Sequence, residues 1–173
     1  MTETRNIIDY YHYWTTEAIK ADLDQKRNNF SILVSNQFND FNLGTVIRCS
    51  NAFLAKEVII YGRKSYDRRG TVGTHLYENL RHVRWIDELV IPENSLIVGI
   101  DNLPGAVPLE TFDWPADRHV VMTLGQEQLG LPEEVASICE HLVYIKQYGS
   151  VRSLNVGVAA GIAMYDYCRK VLG

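Results

Sequence analysis

Long apolar runs are missing from this sequence. The most apolar stretch, Leu154 to Tyr165, carries Asn155 and falls short of the ~20 residues a membrane-spanning helix needs. The N-terminus, Met1-Thr2-Glu3-Thr4, is polar and has no apolar signal-peptide core. Both features predict a cytoplasmic protein without membrane insertion. Cysteine is scarce: Cys49, Cys139 and Cys168 form no Cys-x-x-Cys pair. That pattern excludes a disulfide scaffold and fits free thiols in a reducing compartment. The five His and three Cys do not cluster at metal-ligand spacing, so no metal site is expected. The glycine loops of dinucleotide folds and P-loops are absent, as are the H-E-x-x-H pair and the G-x-S-x-G elbow. Basic charge is in deficit, with 17 Lys and Arg against 21 Asp and Glu and a net charge of −4. A purely electrostatic nucleic-acid binder should instead be basic.

What is present describes one ordinary globular domain over residues 1–173, with 46% hydrophobic and 22% charged residues. Ile7, Tyr10, Tyr11, Trp14, Ala18 and Ile19 recur at helical spacing. They predict an aromatic N-terminal helix at about 5–27, packed on a core or partner or offering a stacking surface to bases. Short β-branched runs follow at Phe30–Val34, Glu57–Tyr61, Ser95–Ile100, His119–Thr123 and Leu142–Ile145, with a weaker one at Val83–Ile86. Helical stretches at Leu43–Leu54, Pro132–Cys139 and Ser153–Val171 separate several of them. Continuous apolar runs indicate strands covered on both faces, so the fold class is α/β with a mostly parallel sheet flanked by helices. Asn102 to Gly105 and Pro108 mark a loop. Gly70-Thr-Val-Gly73 reads as a turn in preference to a nucleic-acid clamp.

Three strings combine polar groups with close-packing residues. The first runs from Asn42 to Phe53, with Asn42 as a helix cap and Arg48 as the helix's only charge. An Arg beyond a strand's carboxyl end is either solvated or a phosphate clamp. The second is Met122-Thr-Leu-Gly-Gln-Glu-Gln-Leu-Gly-Leu-Pro132, a strand entering a glycine-bounded loop with Glu127 at its centre. It reads as a plain connection or as a ligand loop. The third runs from Ile145 through Arg152-Ser-Leu-Asn155 into a helix of Gly157, Ala159, Ala160, Gly161 and Ala163. Dense packing explains its small residues but leaves Ser153 and Asn155 unexplained; Ser153 is the expected cap.

Together the strings resemble the SpoU (TrmH-like) branch of the SPOUT RNA methyltransferases. The N-x-G-x-x-x-R pattern is Asn42, Gly44 and Arg48; the G-x-E-x-x-G pattern is Gly125, Glu127 and Gly130; the S-L-N-V string is Ser153 to Val156. The resemblance implies a C-terminal trefoil knot, S-adenosylmethionine as cofactor, a homodimer with its active site at the interface, and methyl transfer to a ribose 2′-hydroxyl of tRNA or rRNA, not DNA. It assigns catalysis to Arg48, Asn42, Glu127, Ser153 and Asn155, and cofactor binding to Thr123, Leu124, Gly125, Gly130, Ile145 and Leu154. The family's usual Ile-Pro-Met is Ile145-Lys146-Gln147 here, which would alter the charge of the pocket. Two alternatives follow: a catalytically inactive SPOUT-like RNA-binding module, and a base methyltransferase with Cys49 as nucleophile.

Such a partner has to be reconciled with the acidic balance. Residues 63–84 hold six basic residues against two acidic ones, and Trp85 to Tyr144 hold only Arg118 against eleven acids. Arg63, Lys64, Arg68, Arg69, Arg81 and Arg84, with Arg152, are therefore the expected RNA contacts, the alternative being a solvated loop.

Overall fold

A computed structural model describes residues 5–37, 42–126 and 129–173. Its strands are β1 (Phe30–Asn36), β2 (Val58–Gly62), β3 (Leu80–Val83), β4 (Leu96–Ile100), β5 (Val107–Pro108), β6 (Val120–Leu124) and β7 (His141–Tyr144). They form one sheet in the order β3-β2-β1-β6-β4-β7-β5, and every pairing is parallel. The α-helices are α1 (Thr16–Asp24), α2 (Asn42–Ala52), α3 (Glu133–Ala136) and α4 (Val156–Val171).

All seven residues of β1 are buried, as a central parallel strand requires. Alternate side chains serve opposite faces. Phe30, Ile32, Val34, Met122 and Leu124 join the core that includes α2 and α4. Leu33, Ile59 and Val121 pack with Leu131 and Val135 on the other face. The small residues of α4 have a steric reason: a Cβ at Gly157 would lie 2.7 Å from Thr45 Cγ2 on α2. On α2, a Cβ at Gly44 would lie 2.8 Å from Gly70 Cα. Both glycines thus set how closely α2 meets its neighbours.

The N-terminal helix is shorter than its periodicity predicts. A 3-10 turn at Asp9–Tyr11 is followed by a break, and α1 starts afresh where the Thr15 side chain accepts from the Ala18 N–H at 3.2 Å. Tyr10, Tyr11 and Trp14 contact one another across the break, with ring centroids 5.0–5.5 Å apart. Beyond α1, buried Arg27 donates to both Glu78 carboxylate oxygens at 2.9 and 2.8 Å, fastening the segment to the domain. The weaker predicted strand lies earlier than expected, at Leu80–Val83. The expected loop around Pro108 includes the two-residue edge strand β5, a position where proline forfeits no interior ladder bond. The Gly70–Gly73 segment is a turn, with Val72 and Gly73 at φ 48° and 87°.

Candidate active site

The carboxyl ends of β4, β6 and β7 converge on two adjoining cavities of about 400 and 80 Å3. Ligands in open α/β sheets bind at such strand ends. The larger cavity is walled by Ile100 to Leu103, by Leu124 to Gln126 with Leu129 and Gly130, and by Arg152, Ser153 and Leu154. The smaller adds Tyr144, Ile145 and Gln147. Two of the three sequence strings therefore meet at one place.

The loop after β6 folds back on itself. Gln126 N–H donates to the Gly130 carbonyl at 3.0 Å, and Gly130 N–H donates back at 2.8 Å. A Cβ on Gly125 would lie 2.0 Å from the Gly130 carbonyl carbon, so only glycine fits there. Gly130 itself has φ +65°. Asp101, at the end of β4, holds this loop: its Oδ2 accepts from Leu131 N–H and its Oδ1 from Asn102 N–H, both at 2.8 Å. Asn102 Nδ2 donates to the Arg152 carbonyl at 2.8 Å and so fixes the opposite wall.

The third string joins the first through Asn155. It, not Ser153, caps α4: its Oδ1 accepts from Gly157 and Val158 N–H at 3.0 and 3.3 Å. Its Nδ2 donates to Asn42 Oδ1 at 2.7 Å. Asn42, expected as a cap, is the first residue of α2 and meets α4 instead. Ser153 is displaced to the cavity wall. Arg48 is exposed on α2, makes no hydrogen bond or ion pair among the described residues, and lines neither cavity.

Other expected residues fall elsewhere. Thr123 faces away from the cavity, with its Oγ1 3.3 Å from Cys139 Sγ, because it shares the face of Val121 and not that of Leu124. Glu127 lies outside the described residues. Lys146 does not charge the cavity; its Nζ sits 5.3 Å from the Tyr148 ring centroid, in a neighbouring groove. Burial pushes the Cys49 thiol up and the nearby Arg48 charge only partly opposes it, the reverse of an activated nucleophile. Among the basic residues, Arg81 is already engaged, donating twice to Glu57 at 2.9 Å and once to the Val90 carbonyl. Arg69 pairs with Asp67, while Arg68 is exposed on the adjoining turn. Arg63, Lys64 and Arg84 surround a separate groove beyond β2 and β3. Asp101, Asn102 and Gln147 line the cavity without any local sequence signal, because a carboxylate or amide at a strand end carries none.

The cavity also offers a test for a purine cofactor. Gln147 Oε1, on the wall of the smaller cavity, is buried with no hydrogen-bond partner. Leaving a buried acceptor unmatched is costly. An adenine amino group supplies the missing donor, and Ile100, Ile145 and Leu154 supply apolar walls, so these residues fit S-adenosylmethionine.

A parallel α/β domain with its pocket at the strand ends, a folded-back glycine loop and a capped small-residue helix defines a class of ligand-binding α/β proteins. The profile of the SpoU rRNA Methylase family matches residues 29–165. The chain belongs to that family. It is 31% identical over 167 residues to the 23S rRNA (guanosine-2′-O-)-methyltransferase RlmB of Acinetobacter baylyi, with 89% of this chain and 66% of that protein covered. The chain thus spans just under two thirds of that relative. A solved rRNA methyltransferase from Sinorhizobium meliloti with bound AdoMet (S-adenosylmethionine) superposes with a TM-score of 0.71 and 27% identity, covering 87% of this chain and 61% of that one. The TrmH/SpoU tRNA modifying enzyme of A. aeolicus shares the fold, with a TM-score of 0.75, 24% identity, and 90% and 83% covered. Among the described residues no helix is long and apolar enough to cross a membrane.

Proposed function

We propose that this chain is an S-adenosylmethionine-dependent RNA methyltransferase that modifies a ribose 2′-hydroxyl of tRNA or rRNA. The observation that carries the reading is the cavity at the ends of β4, β6 and β7, built from the second and third family strings and tied to the first by the Asn155–Asn42 hydrogen bond. The relatives in the family are themselves methyltransferases, which favours catalysis over an inactive module.

The cofactor, when bound, supplies a methyl group on a sulfonium, a donor that needs no further activation. The chain's task is to hold the ribose oxygen in line with it, a contribution of ~7–11 kcal/mol in well-oriented systems. Leu124, Gly125, Ile145 and Leu154 would frame the adenosine, and Gln147 Oε1 would accept from its amino group. Ser153, on the cavity wall, would orient the ribose, a part the family resemblance also gives to Glu127. Arg48 lines neither cavity of its own chain, so it would reach the site from the second copy of the homodimer, there anchoring the neighbouring phosphate and stabilising the developing alkoxide. A guanidinium with pKa above ~12 does not act as the base, so a substrate phosphate or solvent takes the proton.

The homodimer belongs to the same reading. Val158, Ile162 and Tyr165 form an exposed stripe at four- and three-residue spacing on α4, suited to a second copy. The trefoil threading also belongs to it, as the family resemblance implies.

Arg48→Ala tests the mechanism. Removing one such stabilising donor is expected to slow methyl transfer by roughly 10²–10³-fold, with S-adenosylmethionine affinity by calorimetry nearly unchanged. Full activity would remove Arg48 from the reaction.

A further inference from the structure

The carboxyl edge of the sheet carries a second groove of about 720 Å3, distinct from the cofactor cavity. Gln37 follows β1, Arg63, Lys64 and Ser65 follow β2, and Arg84 and Trp85 follow β3; Glu134 of α3 contributes the facing wall. Because every strand is parallel, both sites open on the same edge of the sheet. From β3 to β4 is four strand spacings, roughly 19 Å.

The groove's side chains are of three kinds. Arg63, Lys64 and Arg84 are exposed and have no ion-pair partner among the described residues. Trp85 is 57% exposed, an uncommon state for an indole, and its ring lies 5.2 Å from the Arg84 guanidinium carbon. Opposite them, Tyr61 Oη donates to Glu134 Oε1 at 2.7 Å. Burial first, and then Glu134, push the Tyr61 phenol up to about 12, so it remains a donor at neutral pH. The same bond holds the Glu134 carboxyl below its usual range and keeps it ionised. An ionised carboxylate has about four acceptor positions, so one bond from Tyr61 leaves capacity for a ligand.

Cations beside an exposed indole match a nucleotide, whose phosphate pairs with Arg and Lys and whose base stacks on the ring. The carboxylate narrows the choice of base. It accepts only, and guanine alone among the four RNA bases presents two adjacent N–H donors, N1–H and the 2-amino group, on one edge. We propose that this groove is a subsite for a guanine nucleotide of the RNA substrate, flanking the nucleotide that is methylated. Arg63, Lys64 and Arg84 hold its phosphate, Trp85 stacks its base, and Glu134 reads its Watson–Crick edge. The proposal rests on the reading that the substrate is RNA.

Full-length wild type, Trp85→Ala and Glu134→Gln are titrated by fluorescence anisotropy with labelled U-rich decaribonucleotides differing only in one central G, A, C or U. Wild type binds the G-containing decamer most tightly. Trp85→Ala weakens binding of that decamer roughly 5- to 150-fold, as expected when one base can no longer stack. Glu134→Gln removes the preference for G and leaves the other three decamers unaffected. S-adenosylmethionine affinity, measured in parallel, stays at the wild-type value in both variants and shows that they fold. If wild type binds the decamers and methylates RNA but neither variant changes binding, the subsite is wrong and the enzyme reading stands. If wild type binds no decamer and methylates no RNA, both fail.

Discussion

The hydrogen bond between Asn42 and Asn155 joins the first and third family strings, and a double-mutant cycle measures it. Asn155 plays two parts: its Oδ1 caps α4, and its Nδ2 donates to Asn42 Oδ1 at 2.7 Å. Replacing an Asn cap with Ala costs ~1 kcal/mol. A side-chain hydrogen bond contributes a further ~1 kcal/mol. Asn155→Ala is therefore expected to cost about 2 kcal/mol, and Asn42→Ala, which spares the cap, about 1 kcal/mol. The double variant should cost about 1 kcal/mol less than the two single losses added together, because the bridge can be broken only once. At this chain length 1 kcal/mol shifts Tm by ~2–4 °C. Thermal melts followed by circular dichroism should place Asn155→Ala ~4–8 °C below wild type, and the double variant ~2–4 °C above the sum of the two single shifts. Strict additivity would refute the bridge, and an undisturbed Asn155→Ala would refute the cap as well.

Three further outcomes follow from the same structure. Gly125→Ala forces a Cβ to within 2.0 Å of the Gly130 backbone, so the loop must shift; calorimetry should show S-adenosylmethionine affinity falling at least ~10-fold, about 1.4 kcal/mol. Arg68→Glu with Arg69→Glu removes positive charge from the exposed turn at Arg68–Thr71; RNA binding should weaken, and the slope of log affinity against log salt should flatten by ~0.7–0.9 for each RNA phosphate no longer neutralised. Asp166 sits beside Trp114, Arg169 and Lys170: burial pushes its carboxyl up, but hydrogen bonds from Lys170, Trp114 and Arg169 outweigh that and hold it below the usual range. A depressed carboxyl contributes stability above its unfolded pKa of ~3.9 and loses it as pH falls through the lower folded value. Denaturant melts should therefore show a steeper loss of stability below about pH 4 in wild type than in Asp166→Asn.

Much of this was legible in the chain. The apolar runs located five strands because a buried parallel sheet writes them as continuous β-branched stretches, placed a sixth three residues too late, and the family strings located the cavity's glycine loop and α4. The remainder depends on partners distant in sequence. Periodicity joins Ile7 to Lys26 into one helix and overlooks Thr15, whose capping side chain restarts it. Ser153 and Asn155 are both capping residue types two positions apart, and only the geometry of α4 chooses Asn155. Thr123 neighbours the glycine loop in sequence, yet strand alternation turns it to the opposite face. Asp101 braces a loop 30 residues away, a pairing no local pattern encodes. Arg81 reads as one more cation of a basic island, but the fold pairs it with Glu57 on the adjacent segment.

The most direct test of the central claim is to incubate the chain with methyl-labelled S-adenosylmethionine and RNA from a strain lacking its gene, then digest the RNA to nucleosides and locate the label. The account predicts label on a 2′-O-methylated nucleoside, appearing roughly 10²–10³-fold more slowly with Arg48→Ala. Label on a base, or no label in any RNA, would contradict it.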